Sequence, residues 1–348
     1  MNITDPREAP PGLLASRLAP LLNDARDVSM LWLMARCALV ACFGVAVFFS
    51  PWPLVYVAPL YWALSFTVLD RFTLMLHCTS HRQLFKNQHG GLNQLIPWLL
   101  GPFFGQTPNT YFAHHMGMHH REENLEDDLS STLRFERNRL GHWLRYWSSF
   151  LCFGLLDLAR YHYRRGSKKL FRKVLLGEGV YWSVLLALAI VNPGATFVVF
   201  LGPLIFIRTL MMMGNWTQHA FIGESDVTDP YLASITCINT RYNRRCFNDG
   251  YHILHHVKPR CHWSEHPTEF LRALPEYGKR DAIVFDGLDY FEIWLRLMLG
   301  RWDKLADHFV QLPGAPARNK AEIIAFLQSR VRPIVRADLP AVPRDLAA

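Results

Sequence analysis

The stretch that decides the fold lies late in the chain, where residues 248–256 read Asn-Asp-Gly-Tyr-His-Ile-Leu-His-His. Its three histidines, His252, His255 and His256, are spaced i, i+3 and i+4. On a helix this spacing puts all three imidazoles on one face, which suits the ligands of a metal better than a single acid or base. One such motif is weak evidence alone, so its weight depends on partners elsewhere in the chain.

The composition is that of a membrane protein. Half of the 348 residues are hydrophobic, 13% are aromatic and 19% are charged. The seven cysteines are odd in number and include no Cys-x-x-Cys pair, which predicts reduced thiols rather than a disulfide framework. The net charge of +8 comes largely from basic residues beside apolar runs. That distribution favours contact with anionic membrane lipid and argues against nucleic acid.

Four apolar runs predict four transmembrane helices arranged in two hairpins. Residues 29–49 and 54–76 form the first hairpin, and residues 174–191 and 196–213 form the second. About 20 residues at about 1.5 Å each match a hydrocarbon core of about 30 Å, so each run is long enough to cross a membrane. Short turns without charge join the two runs of each hairpin.

Two other apolar stretches, residues 92–105 and 143–158, are short or interrupted by proline and charge, and they predict interfacial helices. Basic residues cluster between positions 160 and 173, directly before the third run. The positive-inside rule therefore places this cluster and both chain ends in the cytoplasm. The expected location is the inner membrane of a bacterium or an equivalent membrane.

The predicted fold is an all-α integral membrane protein. It combines four transmembrane helices in two hairpins with interfacial helices and a cytoplasmic helical cap. The domain organisation follows from the same runs: a cytoplasmic N-terminal segment over residues 1–28, a membrane domain with its cap over residues 29–330, and a Pro- and Ala-rich tail over residues 331–348.

Four histidine groups fall at the cytoplasmic ends of these predicted spans. A His-x-x-x-His group at 77–81 follows the second span, a His-x-x-x-His-His group at 115–120 lies between the hairpins, and an Asn-x-x-x-His group at 215–219 follows the fourth span. The group at 252–256 comes later on the same side, so all four converge on one membrane face. The nine histidines of this set are His77, His81, His115, His119, His120, His219, His252, His255 and His256.

Nine imidazoles exceed what one ion requires, because structural zinc takes four ligands and catalytic zinc usually takes three protein ligands. The count therefore predicts a di-metal site. Imidazole binds iron, copper, nickel and zinc, so ligand type alone does not choose the metal. Neutral nitrogen ligands in this number suit a pair of iron ions that can accept dioxygen, whereas soluble di-iron bundles rely on glutamate.

The series HxxxH, HxxxHH, NxxxH and HxxHH, ordered around two hairpins, closely resembles the membrane fatty-acid desaturase family over about residues 54–267. This family includes hydroxylases and decarboxylases that form 1-alkenes. The resemblance implies two iron ions as cofactor, dioxygen as co-substrate and two external electrons. It also implies a fatty acid or acyl thioester as substrate, and a separate electron donor such as ferredoxin with its reductase.

The resemblance also implies residue roles. The nine histidines correspond to the family's metal ligands, and Asn215 corresponds to a residue that contacts a metal through water. His114 directly precedes the second group, and it is expected to be a polar neighbour rather than a ligand. Asp249, three residues before His252, is expected to orient an imidazole by accepting its second N–H.

Charged residues near the motifs have two interpretations. Arg241, Arg244 and Arg245 are candidates for holding the head of the substrate, either a phosphorylated carrier or a free carboxylate. The alternative is juxtamembrane charge that holds phospholipid. The acidic run at 122–128 is a candidate for docking an electron donor or supporting the second group, although a solvated face is the usual role of such a run.

The favoured function is desaturation of a fatty-acyl chain. The same ligands also serve hydroxylation and the oxidative decarboxylation of a free fatty acid to a 1-alkene, and the motifs do not separate these outcomes. The non-enzymatic alternative is a membrane metal-binding or transport protein. A transporter is expected to place ionisable residues near the bilayer midplane, whereas these groups lie at helix ends. A serine hydrolase is disfavoured because no Gly-x-Ser-x-Gly motif occurs.

Overall fold

A computed structural model describes residues 1–7 and 17–334, which are mostly helical. The helices are α1 (Val28–Phe49), α2 (Leu54–Phe66), α3 (Leu69–His81), α4 (Thr110–His114), α5 (His120–Glu122), α6 (Leu140–Arg164), α7 (Lys168–Val191), α8 (Pro193–Thr196), α9 (Gly202–Gln218), α10 (Pro230–Ala233), α11 (Arg241–Arg245), α12 (His252–Val257), α13 (His266–Lys279), α14 (Tyr290–Met298), α15 (Trp302–Asp307) and α16 (Lys320–Ser329).

Tighter and wider turns extend several of these helices. The 3₁₀ turns cover Ala19–Leu21, Ala25–Asp27, Asn87–Gln94, Gly101–Phe104 and Trp263–Glu265. Wider π turns cover Leu95–Leu100, His115–His119 and Phe197–Leu201. Two of the π turns join flanking helices, so that α4 continues into α5 and α8 continues into α9.

The prediction of an all-α chain omits one small sheet. Strands β1 (Ile235–Ile238) and β2 (Ile283–Asp286) pair in parallel, with Ile235 opposite Ile283 and Cys237 opposite Phe285. Each strand has only four residues and nearly all of them are buried. So short a buried run has no visible alternation, and periodicity therefore does not reveal it.

Within the described residues, three helical segments are long and apolar enough to cross a membrane: Ala25–Phe49, Lys168–Val191 and Pro193–Gln218. They coincide with the predicted first, third and fourth spans, which is consistent with a membrane protein. The predicted second span over 54–76 is not one continuous helix, because α2 ends at Phe66 and α3 begins at Leu69. A crossing by this broken pair therefore stays a prediction.

A side chain from the cap stabilises that break. The guanidinium of Arg245 donates to the carbonyl oxygens of Phe66 at 3.1 Å and Thr67 at 3.0 Å. These are carbonyl groups that the end of a helix leaves without intrahelical partners. Arg245 also pairs with Asp70 in the first turn of α3. One arginine thus fixes the angle between α2 and the helix that carries the first histidine group.

The two predicted interfacial stretches take different forms. Residues 92–105 fold as the consecutive turns that end at Phe104, which agrees with the proline interruptions. Residues 143–158 instead belong to the 25-residue helix α6. Leu144, Phe153 and Leu156 are exposed on α6, but α6 is not among the candidate spans. The predicted tail lies outside the described residues from position 335 onward.

Two hydrophobic cores position the site. The membrane core packs α1, α3 and α9 together, with Phe72 of α3 stacked on Phe104 at a centroid distance of 4.7 Å. The cap core surrounds the sheet and α14 to α16. Helix α9 contacts α14 along the boundary between these two cores. The histidine groups lie where the ends of α3 and α9 meet α12 and the segment from α4 to α5.

Candidate metal centre

The nine predicted histidines come from four elements. His77 and His81 lie one turn apart on α3, and His219 directly follows α9. The second group occupies the π turn and the start of α5, and the fourth group lies on α12. A π turn inserts an extra residue into a helix and is frequent at functional sites. Local helical geometry therefore aims each group, and the tertiary fold brings the four groups together.

Five of these imidazoles form what we call the first cluster. The ring nitrogens of His77, His81, His115 and His255 all lie within 4.8 Å of one another. The Nε2 atoms of His77 and His255 are 3.0 Å apart, and those of His81 and His115 are 2.8 Å apart. His120 joins this group, since its Nε2 lies 2.9 Å from that of His255 and 3.2 Å from that of His115.

The other four imidazoles form the second cluster. The ring nitrogens of His119, His219, His252 and His256 lie within 4.8 Å of one another, and all four residues are buried. The Nε2 of His252 is 3.1 Å from that of His219 and 3.0 Å from that of His256. The structure thus divides the nine predicted ligands into groups of five and four.

Acceptors behind the rings fix the orientation of at least one histidine in each cluster. The Nδ1 of His77 lies 3.1 Å from the carboxylate of Asp249, and that of His119 lies 2.7 Å from the carboxylate of Asp128. The Nδ1 of His219 donates to the carbonyl of Ala233 at 2.9 Å. Because each acceptor takes the Nδ1 proton, the Nε2 lone pair is left facing the cluster, as in metal-binding histidines.

The spacing of the Nε2 atoms fits metal coordination. Two nitrogens bonded at about 2.1 Å to one ion, at an angle near 90°, lie about 3 Å apart. The observed separations match this value, and lone pairs that face each other so closely repel without a cation between them. The Nδ1 atoms of His81 and His252 have no hydrogen-bond partner within residues 1–7 and 17–334, so no acceptor there fixes these two rings.

Burial favours the neutral form of several of these imidazoles, which is the form that binds metal. Loss of hydration, reinforced by neighbouring histidines, lowers the pKa of His115, His252, His255 and His256 well below the ordinary value. Burial and the nearby His119 lower the pKa of His219 to about 3. Imidazole nitrogen is an acceptable donor for iron, copper, nickel and zinc, so the residues fit a transition metal without selecting one.

Asp249 connects the first cluster to the cap. Besides His77, its carboxylate accepts from the hydroxyl of Tyr242 at 2.8 Å and from the amide of Gln218 at 3.4 Å. The backbone carbonyl of Asp249 accepts from the hydroxyl of Tyr290 at 3.1 Å. The predicted role of orienting an imidazole therefore has a geometric basis, toward a histidine of α3 rather than one of its own motif.

Asn215 lies beside both clusters but points its amide nitrogen elsewhere. That nitrogen donates to the carbonyl of Ser130 at 3.0 Å and to the hydroxyl of Tyr146 at 2.7 Å. The residue also lines the large cavity that contacts the histidines. The water-mediated metal contact of Asn215 stays a prediction.

Two residues of the acidic run at 122–128 do not form the solvated face that is usual for such a run, and Asp128 fits the other candidate role, support of the second histidine group. Asp128 is 3% exposed, contacts His119 and accepts from the hydroxyl of Ser130 at 2.6 Å. Glu122 is also buried, where it accepts from Arg165 at 2.9 Å. The order of charges alone does not separate these residues from exposed Asp127, because burial here depends on contacts with α6 and α9.

The histidines outside the main set have other contacts. His114 is in neither cluster, and its ring lies 6.5 Å from that of His119. His262 contacts Asp27 at 3.0 Å, and His162 donates to the carbonyl of Ala113 at 3.1 Å. His262 and His162 therefore have partners outside the two clusters.

A cavity of 780 Å³ borders both clusters. Its wall exposes His77 and His115 of the first cluster together with His119 and His252 of the second. The apolar side chains of its lining include Leu74, Phe150, Ile207, Leu210, Met211 and Met212. The charged and amide side chains Asp70, Asn239, Arg241, Arg245, Asp289 and Glu292 also line it, and we call them its polar region.

The three predicted head-group arginines differ in position. Arg241 and Arg245 line the polar region of the cavity, whereas Arg244 is not part of its wall. Arg245 is engaged by Asp70, and Arg244 reaches the hydroxyl of Thr4 at 3.4 Å. Arg241 is exposed and has no ion pair within the described ranges. Arg241 is therefore the cation best placed to meet a charged ligand.

The family relationship agrees with this geometry. Residues 61–287 match the family model described as fatty acid desaturase. No curated protein and no solved structure matches the chain. The match covers all four histidine groups, the break between α2 and α3, and both strands of the sheet. It therefore includes every element that forms the two clusters. The chain belongs to the fatty acid desaturase family.

Proposed function

We propose that the chain is a di-iron membrane oxidoreductase that uses dioxygen and two external electrons to oxidise a fatty-acyl chain, with desaturation as the favoured outcome. The observation that carries this proposal is the contact of two imidazole clusters with one cavity of 780 Å³. A cavity with an apolar wall and a few polar groups is the usual form of a small-molecule site.

The cavity supports an extended amphiphilic substrate. Leu74, Ile207 and Leu210 offer an apolar surface that suits methylene groups. Arg241 lies in the polar region, where it suits a carboxylate or a phosphorylated carrier. An acyl chain in this cavity shares it with His77 and His252, so its methylene groups are the expected point of attack.

When bound, two iron ions supply the reduction of dioxygen and the oxidising power that removes hydrogen from the substrate. Desaturation takes two hydrogen atoms from adjacent carbons and, with two electrons and two protons, converts one dioxygen to two waters. Within this scheme Asp249 and Asp128 hold His77 and His119 in the orientation that leaves each Nε2 available.

Oxidative decarboxylation is the second candidate. A free fatty acid then gives up a hydrogen atom from the carbon β to its carboxyl group, the carboxyl proton, one further electron and carbon dioxide, and becomes a 1-alkene that is one carbon shorter. One dioxygen, with two external electrons and two protons, again becomes two waters. The exposed guanidinium of Arg241 in the cavity wall supports this candidate, because it can pair with a free carboxylate. Hydroxylation requires the same centre and differs in the return of oxygen to the substrate carbon.

The proposed arrangement in the membrane has four crossings, with both chain ends and the metal centre in the cytoplasm. The basic residues at the start of α7 support this orientation. Helix α7 begins and α9 ends on the same side, because the two helices are joined as a hairpin, and His219 follows α9 there. A cytoplasmic centre is accessible to a soluble electron donor such as ferredoxin with its reductase.

The test uses detergent-purified protein loaded with iron and supplied with ferredoxin, its reductase and NADPH. Free fatty acids and acyl-CoAs are offered in parallel, and mass spectrometry follows products in solution and headspace. Alkenes that retain every carbon establish desaturation. A 1-alkene that is one carbon shorter establishes decarboxylation, and metal binding without oxygen uptake supports the metal-binding alternative instead.

A further inference from the structure

Residues 3–6 contact the loop 246–251, which leads into the fourth histidine group. Asp5 is only 4% exposed. Its Oδ2 accepts from the backbone N–H of Asn239 at 2.7 Å, the side-chain amide of Asn243 at 3.1 Å and the hydroxyl of Tyr251 at 2.7 Å. Tyr251 directly precedes His252 of the second cluster. A carboxylate more than two hundred residues away in sequence is thus bonded next to a metal-ligand candidate.

The neighbours of Asp5 strengthen this docking. The backbone N–H of Thr4 donates to the side chain of Asn239 at 2.7 Å, and the side-chain amide of Asn248 donates to the carbonyl of Pro6 at 2.9 Å. Ile3 packs against the hydrophobic cluster that contains Tyr251. The N-terminal segment therefore holds the loop through main-chain, side-chain and apolar contacts together.

The loop needs such support because its backbone is unusual. Phe247 and Asn248 both have φ of 51°, in the left-handed region that non-glycine residues rarely adopt. The N–H of Gly250 donates to the side chain of Asn243 at 2.9 Å, and a side chain at Gly250 would collide with that same group. Asp5 holds Asn243 from the other side, so it closes this arrangement.

The loop serves both clusters. It directs Asp249 toward His77 of the first cluster, and it leads into α12, which carries His252 of the second. A shift of the loop therefore moves an imidazole support and a ligand candidate at once. The carboxylate of Asp5 satisfies three donors, two of them buried, and their loss of a partner would favour just such a shift.

We propose that Asp5 is a positioning residue of the metal centre, acting through Asn243 and Tyr251 on the loop before α12. The inference rests on the proposed metal-binding function. It goes beyond the family relationship, because residues 1–7 precede the matched segment that begins at residue 61. Removal of the Asp5 acceptor weakens metal binding at both clusters even though this side chain contacts neither.

The test compares Asp5→Ala, Asp5→Asn and Asn2→Ala in the full chain. Ferrous iron is titrated anaerobically against a chelator, and amide hydrogen exchange is followed in the same samples. Asp5→Ala is expected to weaken iron binding about 10-fold, in the range of lost supporting contacts at metal sites. Exchange should accelerate over residues 246–256 and stay unchanged in α7. Asn2→Ala, which alters an exposed side chain of the same segment, should match the parent protein.

Asp5→Asn separates positioning from general destabilisation. Its amide oxygen can replace Oδ2, while its nitrogen occupies the place of Oδ1, which has no hydrogen-bond partner among the described residues. We therefore expect Asp5→Asn to restore most of the iron affinity and the slow exchange. If Asp5→Ala does not fold, Tyr251→Phe removes one of the three donors and should accelerate exchange in the same loop.

Parent-like iron affinity and exchange in Asp5→Ala would overturn the inference. So would equal losses in Asp5→Ala and Asp5→Asn with faster exchange throughout the protein. A parent protein that binds no iron contradicts the proposed function instead, and the exchange data then still decide whether Asp5 holds the loop.

Discussion

The two histidine clusters differ in how deeply they are buried. In the second cluster, His119, His219 and His252 are each at most 3% exposed. In the first cluster, His81 and His120 are only partly buried. A small cavity of 30 Å³, which also contacts Arg82 and Cys261, borders the first cluster as well. Both clusters face the large cavity, and the first cluster also faces a second space of about the size of a water molecule.

The clusters also differ in ligand number and support. The first has five imidazoles, and Asp249 holds one of them, that of His77. The second has four, and both Asp128 and the Ala233 carbonyl hold its rings. We infer that the second cluster is rigid and requires all four of its imidazoles to bind an ion. The first cluster tolerates the loss of one imidazole and exchanges its ion more readily.

The largest difference that we expect between the clusters is in the effect of losing one imidazole. His256→Gln leaves three histidines in the second cluster, and we expect a loss of activity of at least about 100-fold with one ion missing. His120→Gln leaves four histidines in the first cluster and should retain both ions with a smaller loss of activity. Iron analysis and product formation measure both effects, and identical losses would contradict the proposed difference in ligand number.

Arg137 tests the rigidity of the region around the second cluster. Its buried guanidinium donates to six carbonyl oxygens, which belong to Thr132, Leu133, Phe135, Ala220, Arg330 and Arg332. Arg137→Met should destabilise the protein by about 3 kcal/mol, because several buried carbonyl groups lose their donor. Thermal unfolding in detergent measures this effect.

Arg139→Met is the matched control for Arg137. The side chain of Arg139 is 63% exposed and pairs only with nearby Glu136 among the contacts of the described chain. We expect little change in its melting temperature, since exposed ion pairs contribute little stability. Equal melting temperatures for the two variants would show that Arg137 does not hold this region together.

Removal of a carboxylate that accepts a hydrogen bond from a cluster histidine should give the next largest effect. Asp128→Ala removes the acceptor for His119, and we expect iron affinity at the second cluster to fall about 30-fold. Asp127→Ala, at an exposed position of the same acidic run, should leave the affinity unchanged. Anaerobic iron titration measures both variants. A loss caused equally by Asp127→Ala would favour a general charge effect over support of His119.

Substitution of Arg241 in the cavity wall should give the smallest effect, and it should not affect the two clusters differently. Arg241→Gln is expected to raise KM about 10-fold, because a charged hydrogen bond to the substrate is lost. Arg244→Gln, which lies outside the cavity wall, should keep the parent KM. Iron content should be the same in both variants. Steady-state kinetics measure the effect, and an unchanged KM in Arg241→Gln would remove this residue from the head-group site.

Local patterns predicted the histidine groups well, because spacings of three to five residues determine which side chains share a helical face. Membrane segments were equally accessible, since hydrophobicity over about 20 residues depends little on tertiary contacts. The break near Thr67 could not be predicted from local hydrophobicity, because Arg245 of the cap supplies the donors that stabilise it. The sheet escaped detection since each of its strands has only four residues.

Support for the histidines was the least predictable part of the site. Asp249 was recognised because it lies within a motif, yet its partner His77 belongs to a distant helix. The run that contains Asp128 was left open between a solvated face, donor docking and support of the second group, and Asp5 was placed in the N-terminal segment without a role. In both cases only the tertiary fold buries the carboxylate and provides its partners. Ligand spacing is a local property, whereas ligand support is assembled from distant parts of the chain.

The most direct test of this account is the iron content of the protein loaded anaerobically, measured together with oxygen uptake when reductant and fatty acid are added. The account predicts two irons per chain in the parent protein and one in His256→Gln, with uptake of dioxygen only in the parent. One iron or none in the parent protein, or two irons without substrate-dependent oxygen uptake, would contradict it.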